Sequence, residues 1–151
     1  MNTAQVARLL RFVREDPKGS NAGQGVEAFL KLTGLGPGHP WCAAFVAYVG
    51  HTLHGEQWPL PLTAACAVLG EAAKTKNIRY TQPEAGDIFL LYYPSLKRFA
   101  HTGFILGKGK KKGTWATIEG NTGVDGSREG WGVFERERTF GANDRFIRTG
   151  L

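Results

Sequence analysis

Asp87-Ile88-Phe89-Leu90-Leu91-Tyr92-Tyr93 separates two halves of the chain that differ in pattern. A short apolar run without alternation marks a strand covered on both faces, because a strand with one wet face alternates polar and apolar residues. Upstream, the apolar residues fall at helical spacing instead. Val6, Leu9, Leu10 and Val13 form one stripe, with Asn2 or Thr3 as N-cap and Asp16-Pro17-Lys18-Gly19-Ser20 as breaker. Val26, Phe29, Leu30 and Thr33 form a second, closed by Gly34 and followed by Gly36-Pro37-Gly38. A third helix starts near Trp41-Cys42 and runs to about Leu53 along Cys42, Phe45, Val46, Val49 and Leu53, which puts the cysteine in the first turn on the inward face. Thr63 is the expected cap of a fourth, carrying Cys66, Leu69 and Ala73. Downstream, 101–106 and 114–119 read as strands joined by Gly107-Lys108-Gly109-Lys110-Lys111-Lys112-Gly113, a hairpin tip. Segments 133–138 and 145–148 supply two more, charged as edge strands are. Helices first and antiparallel strands after them predict an α+β fold, a single domain over 1–151 with N-terminal helices packed on an antiparallel β-sheet.

A chain of 151 residues, 42% apolar and 21% charged, is long enough to bury a core without metals or disulfides. Its two cysteines sit in unlike contexts, so a disulfide framework is not expected. No stretch approaches the roughly 18 to 20 apolar residues that a membrane span requires. Residues 1–15 lack the basic, apolar and small-residue succession of a secretory signal. The expectation is synthesis in the cytoplasm, with release or delivery needed to reach any substrate outside. A formal charge of +6 favours an anionic partner such as wall polymer, lipopolysaccharide or nucleic acid.

Hydrolysis of an amide by a thiol needs a thiolate, a base beside it and a third group that orients the base. Gly38-His39-Pro40-Trp41-Cys42 places a sulfur at a helix start, where the dipole and unpaired N–H groups lower a thiol's pKa. Pro40 suits the approach to a helix, and Gly38 permits a close pass of the backbone. His101 opens the second predicted strand and Glu119 ends the third, so neighbouring strands roughly 5 Å apart can bring the two together. Each residue alone has a packing or solvent reading; their combination in matching context points to chemistry.

Pro40-Trp41-Cys42-Ala43-Ala44-Phe45-Val46 resembles the nucleophile segment of the CHAP family, relatives of the NlpC/P60 and papain-like peptidases. Glu84-Ala85-Gly86-Asp87-Ile88-Phe89 resembles its Gly-Asp turn, Ala100-His101-Thr102-Gly103-Phe104-Ile105 its His-x-Gly strand, and Thr117-Ile118-Glu119-Gly120-Asn121-Thr122 its Glu-x-Asn segment. The four come in family order. Asn21-Ala22-Gly23-Gln24-Gly25-Val26-Glu27 is similar to the lead-in of phage-type members. The resemblance implies a papain-like fold with Cys42 as nucleophile, His101 as base, Glu119 as third member and Asn121 as a polar group near the histidine. It also implies a peptidoglycan substrate, cut as an N-acetylmuramoyl-L-alanine amidase or a stem-peptide endopeptidase, in a phage lysin or a delivered antibacterial effector. The alternative is a catalytically silent wall-binding or phage structural module with the same fold.

Other signals carry less. Trp41, Trp115 and Trp131 are candidates to line a sugar- or peptide-binding groove. Trp41, beside the cysteine, is assigned to substrate binding, whereas Trp115 alternates along a strand and reads as core. His51, His54 and Glu56 match no zinc-protease spacing, Asp125-Gly126-Ser127-Arg128-Glu129 lacks a full calcium loop and reads as a turn, and 17–42 has too few carboxylates for the calcium loop of some lytic relatives. No metal or cofactor is expected. Cys66 reads as packing. Lys108, Lys110, Lys111 and Lys112 form either a solvated hairpin tip or a docking patch for anionic wall polymer. No recognised nucleic-acid motif accompanies them, which counts against a nucleic-acid partner.

Overall fold

The computed structural model describes residues 1–76, 82–123 and 130–151. Its elements follow the predicted order: helices α1 (Thr3–Leu9), α2 (Gln24–Leu32), α3 (Cys42–His54) and α4 (Cys66–Lys76), then strands β1 (Ile88–Tyr93), β2 (Arg98–Lys108), β3 (Trp115–Thr122), β4 (Gly132–Arg138) and β5 (Arg145–Ile147). The fold is α+β, with one antiparallel sheet in the order β4-β3-β2-β1-β5. Among the described residues no helix is long and apolar enough to cross a membrane.

Asn2 caps α1 through a reciprocal pair: its side chain accepts from the Gln5 N–H at 2.9 Å, and the Gln5 side-chain Oε1 accepts from the Asn2 N–H at 2.8 Å. The helix is shorter than its stripe predicts. Leu9 is exposed, and Thr3, Ala4, Val6 and Ala7 form the packed face. Beyond Leu10 the chain leaves the helix to pair with the start of β4, where Val13 accepts from the Val133 N–H and Glu15 donates to the Trp131 carbonyl. Long-range pairing overrides the local spacing. Helix α2 buries Val26, Phe29 and Leu30 and closes at Thr33, just before Gly34, as expected. Thr63 is not the cap of α4. Its hydroxyl accepts from the Ala65 N–H, and the Ala65 carbonyl accepts from the N–H groups of Val68 and Leu69.

Helix α3 is central. Ala43, Ala44, Phe45, Val46, Ala47 and Val49 are all fully buried, because α3 packs on β2 and β3 with α2 on its other side. The main core holds Phe29, Trp41, Phe45, Phe104, Ile118 and Ile147 on the helical side of the sheet. A smaller cluster of Phe89, Ile105 and Phe146 covers the other face. Two covered faces explain why β1 lacks alternation, although only Ile88, Phe89 and Leu90 are deeply buried and the strand's second half is partly exposed. The charged strands β4 and β5 are the two edges, as predicted.

The approach of α3 to β3 fixes Gly120. A Cβ there would lie 2.7 Å from the Phe45 Cβ and 2.8 Å from the Trp41 ring, closer than carbon atoms pack. Gly120→Ala is therefore expected to destabilise the fold by about 1–3 kcal/mol through overpacking, read as a lower denaturant midpoint. An unchanged midpoint would show that α3 can shift at no cost.

Candidate active site

Cys42 is the first residue of α3, and its side chain is 4% exposed at the wall of a groove. His101 and Glu119 are fully buried on β2 and β3. A bulge helps to aim the histidine: Leu91 and Tyr92 of β1 pair with His101 and Phe99 of β2, leaving Ala100 as the extra residue beside it. His101 Nε2 lies 2.7 Å from Glu119 Oε1. The other ring nitrogen, Nδ1, lacks the geometry of a directed hydrogen bond, yet the ring and the Cys42 thiol are close enough to move each other's protonation. The sequence-predicted trio of Cys42, His101 and Glu119 is thus brought together.

Glu119 carries more partners than the sequence indicates. Arg138 of β4 grips both of its oxygens, Nε to Oε2 at 2.5 Å and Nη2 to Oε1 at 2.6 Å, and the Thr117 hydroxyl donates to Oε2 at 2.6 Å. Burial raises a carboxyl's pKa, but here the hydrogen bonds and charges of Arg138 and His101 outweigh it and hold Glu119 down at about 2. Burial likewise disfavours the imidazolium, and the neighbouring Cys42 sulfur together with the hydrogen bond and negative charge of Glu119 overcomes it, raising His101 to about 9. The Cys42 thiol is pulled well below its ordinary value, first by a hydrogen bond from Cys66, against desolvation, and then by His101 and the Ala43 N–H. All three shifts favour a thiolate–imidazolium pair at neutral pH.

Asn121 does not serve the histidine. Glu119 and Thr122 of β3 pair with Phe134 and Gly132 of β4, so β3 carries one residue too many between them, and Asn121 itself sits at φ +56°. This bulge breaks the alternation that would have put Asn121 on the face of Glu119. Its side-chain Oδ1 accepts from the Trp41 N–H at 2.7 Å and its side-chain Nδ2 donates to the Gly130 carbonyl at 2.8 Å. Asn121 therefore anchors the residue that precedes Cys42. Trp41 is not a substrate-binding surface either: it is fully buried, its indole N–H donates to Glu15 at 2.9 Å, and its ring packs on Phe29. Trp115 is half-buried against the smaller cluster, and Trp131 lies against Phe134 with Arg14 and Lys18 over its ring. None of the three lines the groove beside Cys42. Gly38 has open space about its Cα, so the residue answers to its φ of +99° rather than to a close pass.

The groove measures about 560 Å³ and includes Leu35, His39, Cys42, Leu62, Cys66 and Arg98. Among the described residues its lining holds cationic Arg98 and no carboxylate. Cys66 packs in the core as expected, and the structure adds a contact that the sequence did not indicate: it opens α4 and its sulfur lies 3.5 Å from that of Cys42. Sequence reasoning also missed Arg138, Thr117 and Glu15. Thr117 was findable, since i and i+2 share a strand face; Arg138 was not, because its reach depends on the β3–β4 register. Lys108, Lys110, Lys111 and Lys112 are exposed at the far end of β2, roughly 20 Å from His101 at about 3.3 Å per residue. There Glu137 braces the tip by accepting from the Lys111 N–H and the Thr114 hydroxyl. Among the described residues no group of three or more His, Cys, Asp or Glu side chains could hold a metal ion. His54 instead stacks on Trp58, and the segment Asp125-Gly126-Ser127-Arg128-Glu129 lies outside the described residues.

Chemically, the arrangement can present a thiolate to an electrophile, return a proton from His101 and hold that proton with Glu119. A raised His101 pKa contributes stability that is complete below about pH 6.5 and is lost as pH rises through about 9. Glu119→Gln removes the negative charge, so the His101 ring, followed by NMR, should lose its proton at lower pH. Asn121→Ala should leave that titration near its original place. The opposite ranking would move the orienting role to Asn121. No family model matches the chain, and no curated protein or solved structure matches it.

Proposed function

We propose that this chain is a cysteine amidohydrolase of the CHAP type, with a papain-like fold, that cuts an amide bond of bacterial peptidoglycan. The observation that carries the reading is Cys42 at the start of α3 beside a buried His101–Glu119 pair, open to a groove. Cys42 attacks the amide carbonyl as thiolate. The N–H of Cys42, among the first helical N–H groups without an intrahelical acceptor, lies next to the sulfur and suits the oxyanion. His101 protonates the departing amine, then takes a proton from the water that releases the acyl group. Glu119 orients the ring throughout and stabilises its charge whenever the ring is protonated.

Peptidoglycan is favoured by the four motif segments in family order and by charge. Stem peptides are acidic, and Arg98 in a groove lining free of carboxylates among the described residues complements them. The lysine tip offers a second cationic surface for wall polymer, well away from the chemistry. A silent wall-binding module would have little use for a buried His–Glu–Arg network, whose desolvation is costly unless the charges serve a purpose. The proposed place of action is the cell wall or periplasm.

Mass spectrometry of muropeptides digested by the wild type should reveal one new amine and one new carboxyl per cut. Cys42→Ala should lower the rate by at least about 10³-fold, the scale of a lost nucleophile. Wild-type rates in that variant, or no cleavage by the wild type, would overturn the reading.

Charge reversal at Lys110, Lys111 and Lys112 should weaken binding to intact sacculi at low salt while sparing a small soluble substrate, because salt screens the long-range attraction. Equal losses in both assays would tie the tip to the active site instead.

A further inference from the structure

Cys66 begins α4 as Cys42 begins α3, and the two sulfurs meet 3.5 Å apart. Neither is in a disulfide. Both are about 95% buried, at 4% and 5% exposure, yet both line the groove, so a solute that enters it meets the two sulfurs together. Two helix N-termini converge on the pair, and their dipoles favour negative charge on either sulfur. A disulfide needs the sulfurs at about 2.05 Å, so a closing movement of about 1.5 Å would join them. Simple packing does not call for a second thiol directed at the first.

We propose that Cys66 is a resolving cysteine, which captures peroxide oxidation of Cys42 as a reversible Cys42–Cys66 disulfide. In the first step the Cys42 thiolate attacks one oxygen of hydrogen peroxide. The S–O bond forms, the O–O bond breaks and hydroxide departs, so that the sulfur is oxidised to sulfenic acid and the peroxide is reduced. Cys66, giving up its proton, then attacks the Cys42 sulfur. The S–S bond forms, the S–OH bond breaks, and hydroxide leaves with that proton as water. A dithiol reductant reverses the state by two exchanges and restores both thiols. Without Cys66 the sulfenic acid has no neighbouring thiol and advances to sulfinic acid, which such a reductant does not reverse. The device therefore silences the nucleophile under oxidative stress while preserving it.

The test needs no assumption about the amide substrate. Reduced protein is treated with hydrogen peroxide, residual thiols are blocked with iodoacetamide, and unreduced peptides are examined by mass spectrometry. The wild type should yield a Cys42–Cys66 cross-linked peptide that dithiothreitol removes. In Cys66→Ser and Cys66→Ala, Cys42 should accumulate as sulfinic acid and stay unreactive to iodoacetamide after dithiothreitol, with circular dichroism confirming that either variant is folded. Sulfinic acid without a cross-link in the wild type, or equal recovery of Cys42 in wild type and folded variant, would overturn the proposal. A failure of muropeptide cleavage leaves this readout intact, so the two readings fall separately.

Discussion

A carboxylate removed from water is tolerable only if its oxygens are paired, and Glu119 is buried completely. Much of the site follows from that requirement. Three side chains from three strands converge on its two oxygens: His101 from β2, Thr117 from β3 and Arg138 from β4. Removing one partner from a buried ion network of this kind costs about 3–5 kcal/mol, because the remaining charge is left desolvated. The strands can therefore occupy only the register that completes the set. The same geometry gives Glu119 its effect on chemistry, since a carboxylate held ionised keeps the histidine beside it protonated.

The second constraint is the seating of α3. A thiol gains from a helix start only if that start is held against the histidine, and several residues outside the trio do this. Asn121 fixes the Trp41 N–H, Glu15 fixes the Trp41 indole, and Gly120 lets the first turn of the helix lie close on β3. Two bulges make the arrangement possible. One in β2 sits beside His101, and one in β3 separates the face of Glu119 from that of Asn121. Strand irregularity thus hands consecutive polar residues of β3 to different tasks, one to charge and one to position.

Charge is distributed in two places along β2. At one end Arg98 contributes to the groove beside Cys42; at the other Lys108 leads into the lysine tip. Separation by the length of a strand keeps the two cationic surfaces distinct, one in the groove and one at the exposed tip, so the tip's field is weak at the groove.

Periodicity and punctuation in the chain set the class and order of its elements: the start of α3 at Cys42, the β1 run, the charged edges and the placing of His101 and Glu119 on successive strands. These are encoded locally, by spacing that a few consecutive residues express. What the tertiary structure alone decided is which side chains meet when a regular pattern is interrupted. A one-residue bulge reverses every alternation beyond it, so Asn121 turned from the histidine to Trp41. Arg138 reached Glu119 only through the β3–β4 register, α1 ended early because the chain was drawn to β4, and Cys66 met Cys42 because two helix starts, 24 residues apart in sequence, converge on one groove. Such meetings depend on contacts between distant segments, which no local window of sequence contains.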